Sequence, residues 1–145
     1  MKRHSDLDST DFEILKHLQE DGRLSMTALG KQVSLSTPAV TERVRKLEDA
    51  GIIEGYRAVV NQEKMGRTIQ AYILMTTHRC KAFRDFAGRN PLVTECHRLT
   101  GQYSYLVKVV TDSSMSLEAF IDEVMEFGEP YTMMNLSSPV PHQAF

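Results

Sequence analysis

The sequence has little of what marks several large classes of protein. It contains no tryptophan and only two cysteines, Cys80 and Cys96, in 145 residues. A disulfide framework is thereby excluded, and we expect both thiols to be reduced, although a single bridge between them stays open. The cysteines and the scattered histidines match no metal-ligand spacing, so no metal site is predicted.

Motifs that carry catalysis are also missing from the sequence. The chain has no phosphate-binding loop, no HExxH pair and no nucleophile elbow. The carboxylates of residues 118–129 fall mainly on the solvent side of a predicted helix, which favours a hydrated surface over a metal site. We therefore predict no catalytic residues, no enzyme activity and no cofactor.

Neither an excess of one charge nor a long apolar run is present. Lys and Arg number 17 against 19 Asp and Glu, which gives a net charge of -2. Binding to nucleic acid would therefore depend on a local basic patch rather than on the whole chain. No apolar run approaches the length of a membrane span, and the first residues lack an apolar signal segment. We expect a cytoplasmic protein with no membrane partner.

What the sequence does contain is a pair of predicted short helices between Ser25 and Gly51. Ser25 is placed to cap the first helix, and Ser36 or Thr37 to cap the second, with Pro38 in its first turn. Gly51 is expected to end the second helix in a left-handed conformation. Apolar residues at i, i+4 and i+7 predict one buried stripe along the second helix: Val40, Val44 and Leu47.

An earlier helix completes a three-helix frame. It is predicted to begin at an Asp8 cap and to end near Asp21–Gly22. Three helices in this space form the usual frame of a helix-turn-helix. Residues 52–60 follow with several β-forming side chains around Gly55, and predict a short strand pair, or wing.

The outer side of the helix after Ser36 suggests a function. Hydroxyls at its start and cations one to two turns later suit a helix laid in the major groove of double-stranded DNA. A solvated helix face is the alternative interpretation. Because the local charge is small, tight binding should need a dimer or a larger assembly. The predicted DNA-binding residues are Ser36, Thr37, Pro38, Thr41, Glu42, Arg43, Arg45 and Lys46.

The second half of the chain alternates strand and helix signals. Strands are predicted at 69–77, 92–100, 102–111 and 131–138, and helices at 81–88 and 114–128. This βαββαβ order is ferredoxin-like, so the predicted fold class is α+β. We expect a helix-turn-helix domain with its strand pair at 1–60, a linker at 61–68, and a βαββαβ domain at 69–145.

The predicted sheet has a second apolar face. Two helices can cover only one face of four strands, yet the strands at 69–77 and 102–111 are apolar or aromatic on both sides. A second copy of the chain, packed sheet to sheet, would cover the other face. The alternative is that residues such as Tyr72, Leu74 and Leu106 are ordinary, partly exposed side chains.

Four motifs, in the same order, resemble those of the Lrp/AsnC (feast/famine) transcriptional regulators of bacteria and archaea. The resemblance extends from Leu7 to about Pro139. The four motifs are Leu7–Asp8, Arg23–Leu24, the helix from Ser36 to Leu47 with the LEDAGII run that ends it, and Gly101–Tyr105. The resemblance implies a winged helix-turn-helix domain followed by a RAM-type domain. It also implies homodimers, tetramers or octamers on DNA, hence a nucleoid-associated protein, and an amino acid or related small molecule bound between C-terminal domains.

The resemblance carries effector residues onto the segment that follows the second predicted strand and begins the third, and onto the last strand. A family aspartate is replaced here by Ser104, which puts the identity of the effector and the amino-acid response in doubt. A family glycine is replaced by Ser34, where a positive φ would cost free energy. The effector residues implied are Gly101, Gln102, Tyr103, Ser104, Tyr105, Thr132 and Met134.

Two other functions stay open at this point. One is a fold-related enzyme of tetrapyrrole decarboxylation, in which His97 and Arg98 would hold an anionic substrate. The other is an effector-independent, DNA-organising protein, which the loss of the loop aspartate at Ser104 would permit.

Overall fold

The structure of the protein is a computed structural model that describes residues 7–145. It divides into two compact units: residues up to Val59 together with Val140–Phe145 form the first, and Val60–Pro139 form the second. Residues 1–6 of the predicted first domain lie outside the described residues. The last six residues, predicted within the second domain, group with the first unit, where the Phe145 ring lies 6.4 Å from the Phe12 ring.

The first unit is built from three helices, each with a side-chain cap. Helix α1 is Ser9–Glu20, α2 is Met26–Gln32 and α3 is Thr37–Asp49. Asp8 and Asp11 form a reciprocal capping box on α1, while Ser25 and Ser36 cap α2 and α3 as predicted. One core joins the three helices: Ile14, Leu15, Leu18, Leu29, Val33, Val40, Val44 and Leu47.

The turns around α3 depend on left-handed backbone at two residues. Gly51 has φ +69°, and its N–H donates to the Glu48 carbonyl at 2.9 Å while the Ile52 N–H donates to the Leu47 carbonyl at 2.9 Å. This is a Schellman motif, so the prediction for Gly51 is confirmed. Ser34, between α2 and α3, has φ +56°, a conformation that a side chain makes costly.

The predicted strand pair at 52–60 is wrong. Residues 52–60, all of them described, contain no strand. Only Ile53 packs against the three-helix core, and the Tyr56 hydroxyl donates to Glu48 at 2.9 Å. The segment is otherwise exposed and meets no facing strand that could complete a ladder. In the predicted linker, Glu63–Met65 forms a short 3-10 turn that ends at Gly66.

The second unit has the predicted βαββαβ order. Its elements are β1 Ile69–Thr76, α4 Cys80–Ala87, β2 Val93–Arg98, β3 Tyr105–Thr111, α5 Ser114–Met125 and β4 Glu129–Met134. The strands form one antiparallel sheet in the order β2-β3-β1-β4. Both helices pack on one face, which we term the covered face, through Phe83, Leu117, Phe120 and Val124.

Three predicted bounds in the second unit are corrected. β3 begins at Tyr105 instead of 102, because Gly101 takes φ +99° and residues 101–104 form a turn. β4 is Glu129–Met134 instead of 131–138, and α5 ends at Met125. Gly128, in the short connection before β4, lies so close to the Thr76 carbonyl oxygen that a Cβ would overlap it, so this position requires glycine. Among the helices of residues 7–145, none combines the length and apolar character that a membrane crossing requires.

Candidate functional site

Helix α3 separates a buried stripe from an exposed face. Val40, Val44 and Leu47 are 0%, 4% and 3% exposed, in agreement with the predicted stripe. Seven of the eight predicted DNA-binding residues lie on the exposed side: Ser36, Thr37, Pro38, Thr41, Glu42, Arg45 and Lys46. A helix with this arrangement can present polar groups to a groove while its core side stays dry.

Arg43 is half-buried at the edge of that exposed face and contacts α1, and its role in DNA binding stays a prediction. Its Nη1 donates to Asp8 Oδ2 and to Asp11 Oδ1, both at 2.8 Å. The guanidinium is therefore directed towards the start of α1, beside the buried stripe. It lowers the pKa of Asp8, and the backbone N–H of Asp11 lowers it further. Arg43 thereby joins α1 to α3.

The cations that do lie on the exposed face also contact acidic side chains. Arg45 donates from Nε and Nη2 to the two carboxylate oxygens of Glu42, at 3.1 and 2.9 Å, and from Nη1 to Asp49, at 3.2 Å. The Lys46 ammonium is 3.8 Å from Glu42. Arg45 is the main cause that lowers the pKa of Glu42. The exposed face therefore carries less positive charge than was expected from the sequence of residues 36–47.

The starts of α2 and α3 lie side by side, which sequence spacing could not reveal. The Thr37 hydroxyl is 3.4 Å from the hydroxyl of Thr27, a residue the sequence analysis did not name. Both hydroxyls are exposed. Two helix N-termini with neighbouring hydroxyls form a surface suited to a phosphate of the DNA backbone.

In the second unit, the loop before β3 is held by Ser104. Its hydroxyl accepts from the Thr77 N–H at 3.2 Å and donates to the Thr77 carbonyl at 3.3 Å. Its own N–H donates to the Met75 carbonyl at 2.8 Å. Ser104 thus ties the loop to the end of β1, and its hydroxyl is already satisfied by backbone partners.

Only part of the implied effector set comes together around that loop. The Tyr103 ring lies 6.5 Å from the Tyr131 ring of β4, and Gly101 and Gln102 are exposed beside it. Thr132 and Met134 pair with Ile73 and Ala71, so they lie on the covered side of the sheet and further along β4. Tyr131, which the sequence analysis did not name, is the β4 residue next to the loop.

Tyr105 is a core side chain, which corrects its predicted place at an effector surface. It is 1% exposed, its ring lies 5.1 Å from the Phe83 ring, and Arg84 Nη1 donates to its hydroxyl at 3.2 Å. The alternation of β3 explains this, because Tyr105 shares the covered face with Val107 and Val109. Its side chain therefore lies on the covered face, where it lines the floor of a groove between α4 and β2, and not beside Tyr103.

The other face of the sheet, which we term the open face, has no helix over it within the second unit. It carries Tyr72, Leu74, Leu106, Tyr131 and Met133, with Tyr131 and Met133 57% and 37% exposed. One side of it bears an ion-pair group in which Lys108 contacts Glu95 at 2.9 Å and His97 contacts Glu95 at 3.4 Å. The open face is therefore apolar with a charged margin, as an interface is.

His97 and Arg98 point to opposite faces and form no joint site. His97 pairs with Leu106 on the open face, whereas Arg98 pairs with Tyr105 and lines a groove of about 460 Å³ between α4 and β2. This separates the two residues that the tetrapyrrole hypothesis required together. Within residues 7–145, no group of His, Cys, Asp and Glu side chains converges as metal ligands would, and Cys80 and Cys96 are both free.

Two family models and several known proteins match the chain. A winged helix-turn-helix DNA-binding family matches residues 7–54, and the Lrp/AsnC ligand binding domain matches residues 70–145. The HTH-type transcriptional regulator YezC of Bacillus subtilis is 52% identical over 139 residues, which cover 96% of this chain and 100% of YezC.

Two solved structures have the same fold over nearly their whole length. LrpC of Bacillus subtilis has a TM-score of 0.90 and 33% identity, and the match covers 98% of this chain and 100% of that one. A transcriptional regulator of Neisseria meningitidis, solved as a complex with L-methionine, has a TM-score of 0.88 and 28% identity, covering 94% and 93%. These matches cover both units of this chain.

Proposed function

Because the chain belongs to the Lrp/AsnC family of DNA-binding transcriptional regulators, we propose that it reads operator DNA with the exposed face of α3. The observation that carries this proposal is the separation of α3 into a dry stripe and a wet face. In a major groove, Arg45 can reach O6 and N7 of a guanine, while the hydroxyls of Thr27 and Thr37 approach phosphates. Arg43 acts indirectly, by holding α3 against α1.

The protein works on DNA as a homodimer, or as a tetramer or octamer assembled from such dimers. The open face of the sheet supports this, since apolar side chains there are left to a second copy of the chain. The exposed face of α3 carries as many acidic as basic groups among Glu42, Arg45, Lys46 and Asp49. Pooling several such faces would supply the phosphate contacts that one face lacks.

An amino acid or a related small molecule modulates the protein by binding between C-terminal domains. The match to a ligand binding domain supports a small-molecule site, and the Neisseria relative was solved with L-methionine. We place the site at the loop of Gly101, Gln102 and Tyr103, beside Tyr131. Since the Ser104 hydroxyl is satisfied by Thr77, recognition of an α-amino group would depend on groups other than Ser104.

Relatives of the chain are transcriptional regulators, and neither alternative function gains support. The enzyme hypothesis needs His97 and Arg98 on one surface, but β2 directs them to opposite faces. An effector-independent, DNA-organising protein would differ from the proposal only in its response to small molecules. We place the protein in the cytoplasm, associated with the nucleoid through its DNA contacts.

The DNA role is tested with duplexes that the protein itself selects from a random library. Their affinity is measured by fluorescence anisotropy over a series of salt concentrations. We expect the affinity to fall steeply, with a slope of about 0.9 per phosphate contact in a log–log plot. Arg45→Ala should lower the affinity for the selected duplex about tenfold, as the loss of one bidentate base contact does. Lys81→Ala, in the second unit, should leave that affinity unchanged. A flat salt response contradicts the proposal.

The effector role is tested by adding each amino acid in turn to the protein and its selected duplex. Sedimentation velocity reports assembly, and anisotropy reports DNA affinity. We expect one amino acid or a chemically similar group to change either quantity, and Tyr131→Ala to reduce that response. If no amino acid changes assembly or affinity, the effector-independent function is the better description.

A further inference from the structure

Glu42 lies among the DNA-facing residues of α3 and carries the wrong charge for DNA. It is exposed, it falls on the same side of the helix as Arg45 and Lys46, and it holds Arg45 through a two-pronged contact at 3.1 and 2.9 Å. Arg45 holds the pKa of Glu42 below its ordinary value, so the carboxylate is charged at neutral pH. If α3 lies in a groove as proposed, this carboxylate faces the phosphates and should repel every duplex equally.

Arg45 cannot contact DNA without exchanging its acidic partners. Nε and Nη2 face the two oxygens of Glu42, and Nη1 faces Asp49. O6 and N7 of guanine offer a comparable pair of acceptors, so a correctly placed guanine can accept the two hydrogen bonds that Arg45 donates to Glu42. Away from such a guanine, Arg45 finds only the backbone phosphates that any sequence offers.

We infer that Glu42 is a specificity-determining residue, which suppresses binding to non-operator DNA by retaining Arg45 and repelling phosphates. This inference rests on the proposed reading of DNA by α3. The penalty from Glu42 applies on every duplex, whereas an operator guanine adds a base-specific replacement for the Glu42 contact to the phosphate contacts that any duplex offers. Selectivity is thereby raised through a repulsive element, at a cost in total affinity.

Glu48 provides a matched control on the same helix. Its carboxylate accepts from the Tyr56 hydroxyl at 2.9 Å and does not contact Arg45. Burial, and then the contact with Glu48, raise the pKa of Tyr56 to about 12, so this donor stays protonated. Glu42→Gln and Glu48→Gln remove the same charge from α3, but only Glu42→Gln releases Arg45.

The experiment compares two duplexes of equal composition, one selected by the wild-type protein and one scrambled. For Glu42→Gln we expect affinity for the scrambled duplex to rise about tenfold, and for the selected duplex less than about threefold. Asp49→Asn should act in the same direction but more weakly, since it removes one of the three contacts of Arg45. Glu48→Gln should leave the ratio of the two affinities unchanged. Far-UV circular dichroism and the thermal midpoint establish that each variant is folded.

Three results would overturn the inference. If Glu42→Gln raised the affinity for both duplexes equally, Glu42 would act only as a negative charge that repels any DNA. If Glu48→Gln changed the ratio of the two affinities by the same factor, the contact between Glu42 and Arg45 would have no role in selectivity. Weaker binding of Glu42→Gln to the selected duplex would mean that Glu42 reads a base directly. A wild-type protein that binds no duplex at low salt would instead contradict the proposed function, so the two failures can be told apart.

Discussion

The two units of the protein separate dry from wet surface in different ways. In the helical unit, each helix contributes buried residues to a single core, and the remaining surface of α3 is mostly polar. In the sheet unit, α4 and α5 fill the covered face, while the open face keeps large apolar side chains. The first arrangement leaves a surface suited to a charged, hydrated ligand, and the second leaves one suited to another protein surface.

The largest contrast is expected between the two faces of the sheet. Phe120 is 2% exposed and packs against Phe86 on the covered face. Phe120→Ala should lower the free energy of unfolding of the second unit by about 3–5 kcal/mol, because it leaves a cavity. Leu74→Ala, on the open face, should cost stability only through assembly. Urea unfolding at several protein concentrations separates the two: the Leu74→Ala loss should disappear on dilution, and a loss that persisted would mean that Leu74 belongs to the core.

A charge on the open face should break the assembly while it spares the fold. Leu106→Glu should raise the dimer dissociation constant by about a hundredfold or more, since each subunit would bury an unpaired carboxylate. Sedimentation equilibrium measures this constant. Met115→Glu is the control, because Met115 is an apolar residue 78% exposed on α5, outside the open face. If dimers persisted in Leu106→Glu, the open face would not be their interface.

These contrasts also explain which features could be predicted from sequence. Caps, stripes and helix ends are local: Ser25, Ser36 and Gly51 act within three or four residues of themselves. Alternation along β1 and β3 likewise predicts two apolar faces from neighbouring residues. Such features need no knowledge of the rest of the chain, and they were predicted correctly.

Features that depend on distant partners were not predictable from spacing. Arg43 finds Asp8 and Asp11 more than thirty residues away, and only packing of α1 on α3 brings them together. Residues 52–60 have β-forming side chains but meet no strand to pair with. The family resemblance implied that Tyr105 lies at an effector surface, although the register of β3 turns it into the core.

Within the helical unit, Arg43 and Arg45 sharpen the comparison. Arg43→Ala removes the ion-pair partner of Asp11, whose carboxylate is 14% exposed and keeps its contact with the Asp8 N–H. We expect the free energy of unfolding of the first unit to fall by about 1–2 kcal/mol. Arg45→Ala, whose side chain is 60% exposed, should leave that free energy of unfolding nearly unchanged. Urea unfolding followed by helix circular dichroism measures both, and equal losses would contradict a structural role for Arg43.

The smallest effect is expected in the titration of Asp8, which tests the same contact without unfolding the protein. Arg43 lowers the pKa of Asp8 from its ordinary 3.8. A lowered folded pKa stabilises the fold above the unfolded value, and this contribution is lost as the pH falls through the folded value. In Arg43→Ala, carboxyl NMR should show the pKa of Asp8 rising towards 3.8 but staying below it, since the Asp11 N–H still donates to Asp8. Asp85, whose pKa is lowered chiefly by Lys81, should titrate unchanged. An unaltered Asp8 titration would show that the contact with Arg43 does not persist in solution.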